Sequence, residues 1–285
     1  MEKRELVQAI SDFVAQSEAN LVRPEDAIYP DLAGLRIYDA DLLVGFAAAD
    51  DPLFTDTFKR EGVISPQFKA PREWLPQANT VISFFLPFTE AVRASNRTAL
   101  DEPTQAGHPQ HCSAAWMHAR VEGQDFLDQI TDHIEALLRQ QGYRTLCPTS
   151  SGQLGMITPV CSNWSERHVA FACGLGTFGL SKGLITAKGM AGRFGSVITD
   201  AVFEPTPRPY TDPFEYCTMC GACQRRCPVG AIDVRRGCAL GKDQAICAPY
   251  LKASYLPPHG PRDVVRYGCG KCQVGVPCEK GIPGR

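Results

Sequence analysis

Cys217, Cys220, Cys223 and Cys227, the last followed by Pro228, are spaced C-x2-C-x2-C-x3-C-P, and this spacing carries the most specific chemistry in the chain. Three thiols at such intervals cannot share one side of a regular helix or strand. A tight loop can turn all three toward one [4Fe-4S] cubane, which leaves the fourth free to reach elsewhere. Gly221 lets that loop turn, and Pro228 ends it without needing a backbone donor. Nine of the 13 cysteines fall in the last 69 of 285 residues, so the metal chemistry is concentrated there.

The run resembles that of the bacterial two-cluster ferredoxins, in which the fourth cysteine of each run serves the opposite cluster. Two cubanes need eight thiolates, and the tail adds Cys238, Cys247, Cys269, Cys272 and Cys278. On that pattern the first cluster takes Cys217, Cys220, Cys223 and the distant Cys278. The second takes Cys227, Cys269, Cys272 and either Cys247 or Cys238. Cys247 is preferred, because it opens a short helix over Ala248–Ser254, whereas Cys238 follows Gly237 on a turn. The second run is irregular: five residues separate Cys272 from Cys278, so Gly275-Val276-Pro277 must loop out.

Zinc and disulfides are the alternatives. Zinc sites usually show Cys-x2-Cys pairs separated by a longer gap, which three cysteines in seven residues fit poorly. Disulfides need an oxidising compartment, and Met1-Glu-Lys-Arg shows no signal peptide, so a cytoplasmic setting is expected. Cys112 and Cys147 read as small buried hydrophobes. Cys161 and Cys173 flank an unusual segment taken up below.

Other elements must hold these residues in place. Leu6, Ile10, Phe13 and Val14 mark a helix within Glu5–Ala19. Leu42-Leu43-Val44 reads as a short strand ending at Gly45, and Thr80–Pro87 as a buried strand stopped by proline. Arg93–Gln110 is polar and reads as a loop able to cover a site. Ser113–Gln141 is the strongest helix, with Trp116, Val121, Phe126, Ile130, Ile134, Leu137 and Leu138 near one stripe and Gly142 as its stop. Ser196–Phe203 reads as a strand. Pro205, Pro207, Pro209 and Pro213 then form a stiff extended linker. The expected organisation is an α/β cofactor- and substrate-binding domain over 1–204, a linker over 205–213, and a cluster domain over 214–285 held by metal more than by apolar core.

The formal net charge of −2 gives no general case for nucleic-acid binding. No apolar run approaches the roughly 18 residues a spanning helix needs, so no membrane partner is expected.

Ser162–Gly192 is the second unusual stretch. Glu166–Ala172 can form a turn or two of helix, and Gly174, Gly176 and Gly179 follow at G-x-G-x-x-G spacing. A dinucleotide fingerprint needs a strand before it and a helix after it. Here a helix precedes, and Ser181–Ala187 reads as a strand, so NAD or FAD is disfavoured. Close glycines also suit tight turns, or a backbone-lined pocket for a large cofactor.

Ser165-Glu166-Arg167, Phe171-Ala-Cys-Gly174-Leu-Gly176-Thr177-Phe-Gly179, Leu184-Ile-Thr186 and Gly195-Ser-Val-Ile-Thr199-Asp200, followed by the cysteine tail, resemble the epoxyqueuosine reductase family. The resemblance covers about Pro159 to Cys278 well and the N-terminal half faintly. It implies a nitroreductase-like α/β core sheet flanked by helices, a C-terminal two-cluster ferredoxin-like domain, and a base-off cobalamin reduced by the clusters. Reductive dehalogenases share that architecture. By matching position, Ser162, Gly174, Gly176, Thr177 and Gly179 would lie along the corrinoid pocket and Glu166 and Arg167 would brace it. Lys182 and Arg193 would meet corrin amides or an anionic substrate.

The chain departs from the family in two ways. A family aspartate that donates a proton has no carboxylate counterpart in Pro159-Val160-Cys161-Ser162-Asn163, and His168, Cys161, Trp164 and Tyr210 are the residues weighed in its place. The chain also lacks the C-terminal helical repeats of members that act on transfer RNA. The leading expectation is a reductase for a small organic substrate, fed by a ferredoxin or flavodoxin; the resemblance to nitroreductase-like relatives, which are often dimers, adds a homodimer as an expectation. An electron-transfer protein without its own substrate, and FMN in place of the corrinoid, are the alternatives.

Overall fold

Thr80–Pro87 is buried at all eight positions, because both faces of the sheet to which it belongs are covered. The structure is a computed structural model that describes residues 1–98, 102–103, 109–110, 112–158 and 161–284. In chain order its main elements are helix α1 (Lys3–Gln16), strand β1 (Leu43–Ala48), strand β2 (Thr80–Pro87), helix α2 (Glu90–Thr98), helix α3 (Ala114–Gln140), strand β3 (Thr145–Leu146), helix α4 (Glu166–Ala172), strands β4 (Gly176–Phe178), β5 (Leu184–Thr186) and β6 (Gly192–Thr199), helix α5 (Gln244–Ala253), and strands β7 (Tyr255–His259) and β8 (Val264–Tyr267).

The central sheet runs β1-β2-β6-β3, antiparallel throughout, with Ile82 opposite both Phe46 and Val197. Alternation sorts β2 between two cores. Ile82, Phe84 and Leu86 pack with Leu6 and Ile10 of α1 and Phe126, Ile130 and Ile134 of α3. Val81 and Phe85 pack on the other face with Trp164 and with Val169 and Phe171 of α4. Each such large apolar side chain contributes about 1.5–3 kcal/mol when fully buried. The class is α/β, as expected.

Several boundaries differ from the sequence reading. β1 continues through Gly45 to Ala48: a Cβ there would lie 2.1 Å from the Cys173 carbonyl oxygen, so the glycine admits α4 rather than ending the strand. The expected loop over Arg93–Gln110 begins as helix α2, which ends at Thr98; residues 99–101 and 104–108 lie outside those described. The last sheet strand is Gly192–Thr199 rather than Ser196–Phe203, its register with β2 starting at Gly192 opposite Pro87. The strand expected over Ser181–Ala187 shortens to β5, which pairs with β4 as a hairpin.

The proline-rich stretch lies against the central sheet. Thr206 donates its N–H to the Phe46 carbonyl at 2.8 Å, and its hydroxyl accepts the Phe46 N–H at 3.0 Å, so the chain continues along the β1 edge. Beyond it, the β7-β8 hairpin packs on α3. There Arg266 is fully buried and pairs with Glu122. Gly270 sits so close to Trp116 that a Cβ would come within 2.1 Å of the indole.

Candidate metal centre

The loop after the proline stretch turns inward through two left-handed residues, Met219 (φ 54°) and Gly221 (φ 69°). Cys217, Cys220 and Cys223 thereby line one hollow, and Cys278 joins them from the far end of the chain; Leu180, Ile185, Met190 and Val276 complete its apolar wall. Cys278 is held by the backbone, since its carbonyl accepts the Met190 N–H at 3.1 Å and the next carbonyl, of Glu279, accepts from Ala191 at 3.3 Å. Its thiol lies 3.4 Å from the Met190 sulfur. Burial pushes the Cys278 thiol up to about 12, with the charges of Cys223, Cys217 and Cys220 adding to the rise. Such a set of crowded, desolvated thiols is relieved by a cation that takes them as thiolates. The Leu180 N–H already donates to Cys217 Sγ at 3.4 Å, the kind of contact that tunes a cluster's potential.

A second set forms beside the first. Burial raises the Cys269 thiol to about 12, and the neighbours that add to it are Cys272, Cys247 and Cys227. Cys272 answers to burial and then to Lys242, Cys247 and Cys227. Cys227 Sγ accepts the Ala231 N–H at 3.2 Å. Burial pulls the Lys242 ammonium down, but Cys272 and Cys247 outweigh it, and its pKa is raised. Helix α2 fixes this run: Asn96 donates to the Cys269 carbonyl at 2.9 Å, and Lys271 donates to the Asn96 carbonyl at 2.7 Å. Arg97 makes a two-point pair with Glu279, which in turn accepts the N–H of Gly275 at 2.7 Å. That contact closes the loop-out expected at Gly275-Val276-Pro277. The two sets adjoin, because the Cys272 charge is also felt at Cys223.

Cys238 lies with the first set. Its thiol donates to the Met219 sulfur at 3.1 Å, and burial, then Cys217 and Cys223, hold its pKa up at about 12. Cys247 is on the first turns of α5, which starts at Gln244. Among the described residues no three His, Cys, Asp or Glu side chains converge as ligands of one metal ion. A cubane instead presents separate iron corners, so its thiolates stand around a volume.

The glycine segment is placed differently from its expectation. A Cβ on Gly176 would lie 2.0 Å from the Ile185 carbonyl oxygen, and one on Gly174 about 3.0 Å from that of Pro207, so both close approaches are protein on protein. Gly176 and Thr177 are buried, and the Thr177 hydroxyl accepts the Tyr216 N–H at 2.9 Å. Gly179 lines the first thiol hollow. The Ser162 hydroxyl donates to the Trp164 carbonyl at 2.5 Å. Arg167 donates to the Lys182 carbonyl at 2.5 Å, and Lys182 to that of Ala239. Arg167 is an exposed residue, and the charge of Cys272 is felt at its guanidinium, which sets it near the second thiol set. Glu166 turns under its own helix: both carboxylate oxygens are inaccessible and without a hydrogen-bond partner among the described residues. Burial pushes it up to about 7, offset only in part by Ser196 and Trp164. Arg193 faces α3 and donates to Gln124.

The four residues weighed as proton donors are placed as follows; positions 159 and 160 lie outside the described residues. His168 packs between Phe58 and Phe178, and burial, then Arg167 and Lys182, lowers it to about 3, so it is a neutral imidazole. Trp164 stacks between Phe54 and Phe68. The Tyr210 hydroxyl donates to the Phe171 carbonyl at 2.7 Å, which makes it a brace for the turn after α4. The Cys161 thiol lies 3.6 Å from the Ile64 carbonyl oxygen. Sequence reasoning missed the β7-β8 hairpin and its Tyr267 and Arg266; the turn residues Pro257-Pro258 and Gly260-Pro261 were the signal available.

Residues 212–233 match the 4Fe-4S binding domain family, which makes this segment an iron–sulfur module. The chain has the fold of the epoxyqueuosine reductases. It superposes on a selenomethionine-labelled epoxyqueuosine reductase with a TM-score of 0.54 at 18% identity, covering 99% of this chain and 67% of that one. It superposes on an epoxyqueuosine reductase solved with an epoxyqueuosine-modified tRNA-Tyr stem loop at a TM-score of 0.51 and 18% identity, covering 99% and 66%. A catabolic reductive dehalogenase, NpRdhA, gives 0.48 at 13% identity, covering 85% and 30%. The chain spans about two thirds of the length of the two epoxyqueuosine reductase structures. No curated protein matches it significantly. Among the described residues no helix is long and apolar enough to cross a membrane.

Proposed function

We propose that this chain is an iron–sulfur oxidoreductase carrying two [4Fe-4S] clusters, the first on Cys217, Cys220, Cys223 and Cys278 and the second on Cys227, Cys247, Cys269 and Cys272. The observation that carries the reading is the return of Cys278 to one hollow with the first three thiols, while the second set gathers beside it. Cys220 is exposed, so an external donor such as a ferredoxin or flavodoxin loads electrons at the first cluster. Cys223 and Cys272 would hold the two clusters next to each other, and the Lys242 ammonium and Arg167, both within the field of Cys272, would favour the reduced form of the second.

The acceptor beyond the second cluster is a small organic substrate or a cofactor that reduces it. The resemblance makes that cofactor a cobalamin, with FMN as the alternative. The residues matched to a corrinoid pocket do not fit one as they stand: Gly176 and Thr177 are enclosed by protein, and Arg167 and Lys182 are turned onto backbone carbonyls. The reading therefore stands on the clusters.

Iron, acid-labile sulfide, cobalt and flavin measured together on anaerobically purified protein test the proposal. About eight irons per chain are expected for two cubanes. Zinc in their place, or no more than about four irons, overturns the two-cluster assignment. Cobalt or flavin in stoichiometric amount names the acceptor.

A further inference from the structure

We propose that Arg120, Arg193 and Tyr267 form an oxyanion subsite, which holds a carboxylate or phosphate of the substrate behind the second cluster. To call the anion a substrate rests on the reductase reading above; the subsite itself stands on its own geometry.

Arg120, Gln124 and Asp128 are spaced at four-residue intervals on α3 and so share one side of that helix. Arg193 on β6 reaches that side from the sheet and donates to the Gln124 side-chain oxygen. Gln124 donates onward to Asp128 at 2.8 Å. Tyr267 on β8 closes the group, with the Arg120 guanidinium 4.4 Å over its ring. Both arginines keep part of their surface open to solvent, although Arg193 is deep enough that burial lowers its pKa. The group is therefore half-open to solvent.

Its charges do not balance. Among the described residues neither Arg120 nor Arg193 has a carboxylate within ion-pair distance. The nearby acids are spent elsewhere: Asp125 pairs with Arg262, and Glu122 with Arg266 and His118. Asp128 faces Arg193 but is held by Gln124, and burial raises its pKa, which weakens it as a counter-charge. A desolvated guanidinium without a partner is costly, and proteins keep one where a ligand completes it. Two guanidinia and a phenol present the planar, donor-rich face that suits a carboxylate or phosphate.

The group adjoins the Cys269 run. Tyr267 is two residues from Cys269, and a Cβ on the intervening Gly268 would lie 3.5 Å from Arg120 Cδ. An anion held here would lie beside the residues assigned to the second cluster.

Thermal unfolding of the cluster-loaded protein tests this, in inorganic phosphate, acetate or benzoate against chloride at equal ionic strength. At least one oxyanion should raise the wild-type melting temperature above its value in chloride. Phosphate alone doing so assigns a phosphate-bearing substrate, and the carboxylates alone a carboxylate. Arg193→Gln and Arg120→Gln should each weaken the apparent affinity by about tenfold, and Arg193→Lys by less. Arg193→Gln should fold with a melting temperature in chloride close to that of the wild type, because it removes a half-exposed guanidinium whose side-chain partner is the neutral Gln124; if it does not fold, Arg120→Gln decides. No oxyanion effect on the wild type, or the same effect in both variants, overturns the subsite. Iron measured on the same samples separates the two claims: low iron with an intact anion effect retires the reductase reading and leaves the subsite standing.

Discussion

Arg266 and Glu122 are 144 residues apart and meet with no solvent between them: the Arg266 guanidinium donates to one Glu122 oxygen at 2.5 and 3.0 Å, with Arg266 0% exposed. The other Glu122 oxygen meets His118 Nδ1 at 3.0 Å. Burial alone would push Glu122 up, but His118 and Arg266 outweigh it and hold its carboxyl below the usual value. This pair ties the β7-β8 hairpin, and so the Cys269 run behind it, to α3. Arg266→Met leaves a buried carboxylate with one partner fewer and should cost about 3–5 kcal/mol. Urea unfolding followed by circular dichroism reads that loss. On the two-cluster proposal, iron release at sub-denaturing urea should rise as well, because the hairpin leads directly into the Cys269 run. A variant as stable as the wild type would show that the pair is not what seats the hairpin.

The placement of Cys238 separates two thiols that the sequence left open. Cys247 lies with Cys227, Cys269 and Cys272, and Cys238 with Cys217 and Cys223. Cys247→Ser should therefore lose the iron of one cluster, about half the total, and Cys278→Ser the other half. Cys238→Ala should keep all of it. The Cys238 thiol lies beside Cys217 and Met219, so if the first set holds a cluster, Cys238→Ala should shift its potential in a redox titration. Half the iron lost from Cys238→Ala and none from Cys247→Ser would reverse the assignment.

The cysteine spacing made the first loop legible, because three thiols in seven residues admit few geometries. The helix over Ser113–Gln141 was legible from its apolar stripe and is observed as Ala114–Gln140. The glycine segment was less so. Glycine spacing records that something approaches the backbone without saying what, and at Gly176 it is the Ile185 carbonyl of the paired strand. Gly45 misled for the same reason, since the approach is from α4 across the sheet. The grouping of Arg120, Arg193 and Tyr267 draws on three elements far apart in sequence, and no local pattern marks it.

Gly270 stands between two constraints that only glycine meets. Its φ is +68°, and a Cβ would lie 2.1–2.4 Å from the Trp116 indole, which is itself buried against Phe88. The left-handed turn aims Cys269 and Cys272 while the indole fills the space behind. Gly270→Ala must displace Trp116 or the turn, so it should lower stability by about 1–3 kcal/mol and reduce occupancy of the second cluster. Trp116→Phe in the same background removes the indole edge and should restore part of the iron. If the single variant binds a full complement of iron, the turn tolerates a side chain and the contact is not limiting.

Glu166 gives a pH dependence with a definite sign. Its carboxylate is enclosed between α4 and the sheet, and its pKa rises from 4.5 to about 7 on folding. The folded protein therefore binds this proton more tightly than the unfolded chain. The contribution is intact below about 4.5 and is lost as pH rises through about 7. Between pH 6 and pH 8 the wild type should lose about 1.4 kcal/mol from this group. Glu166→Gln carries no titrating proton and should have a flatter profile over the same interval. Unfolding of both proteins at several pH values within that window, clusters loaded and oxygen excluded, gives the difference directly. Parallel profiles would mean that the carboxylate is already ionised in the fold, held by a partner such as the Ser196 hydroxyl, and the buried neutral acid would have to be abandoned.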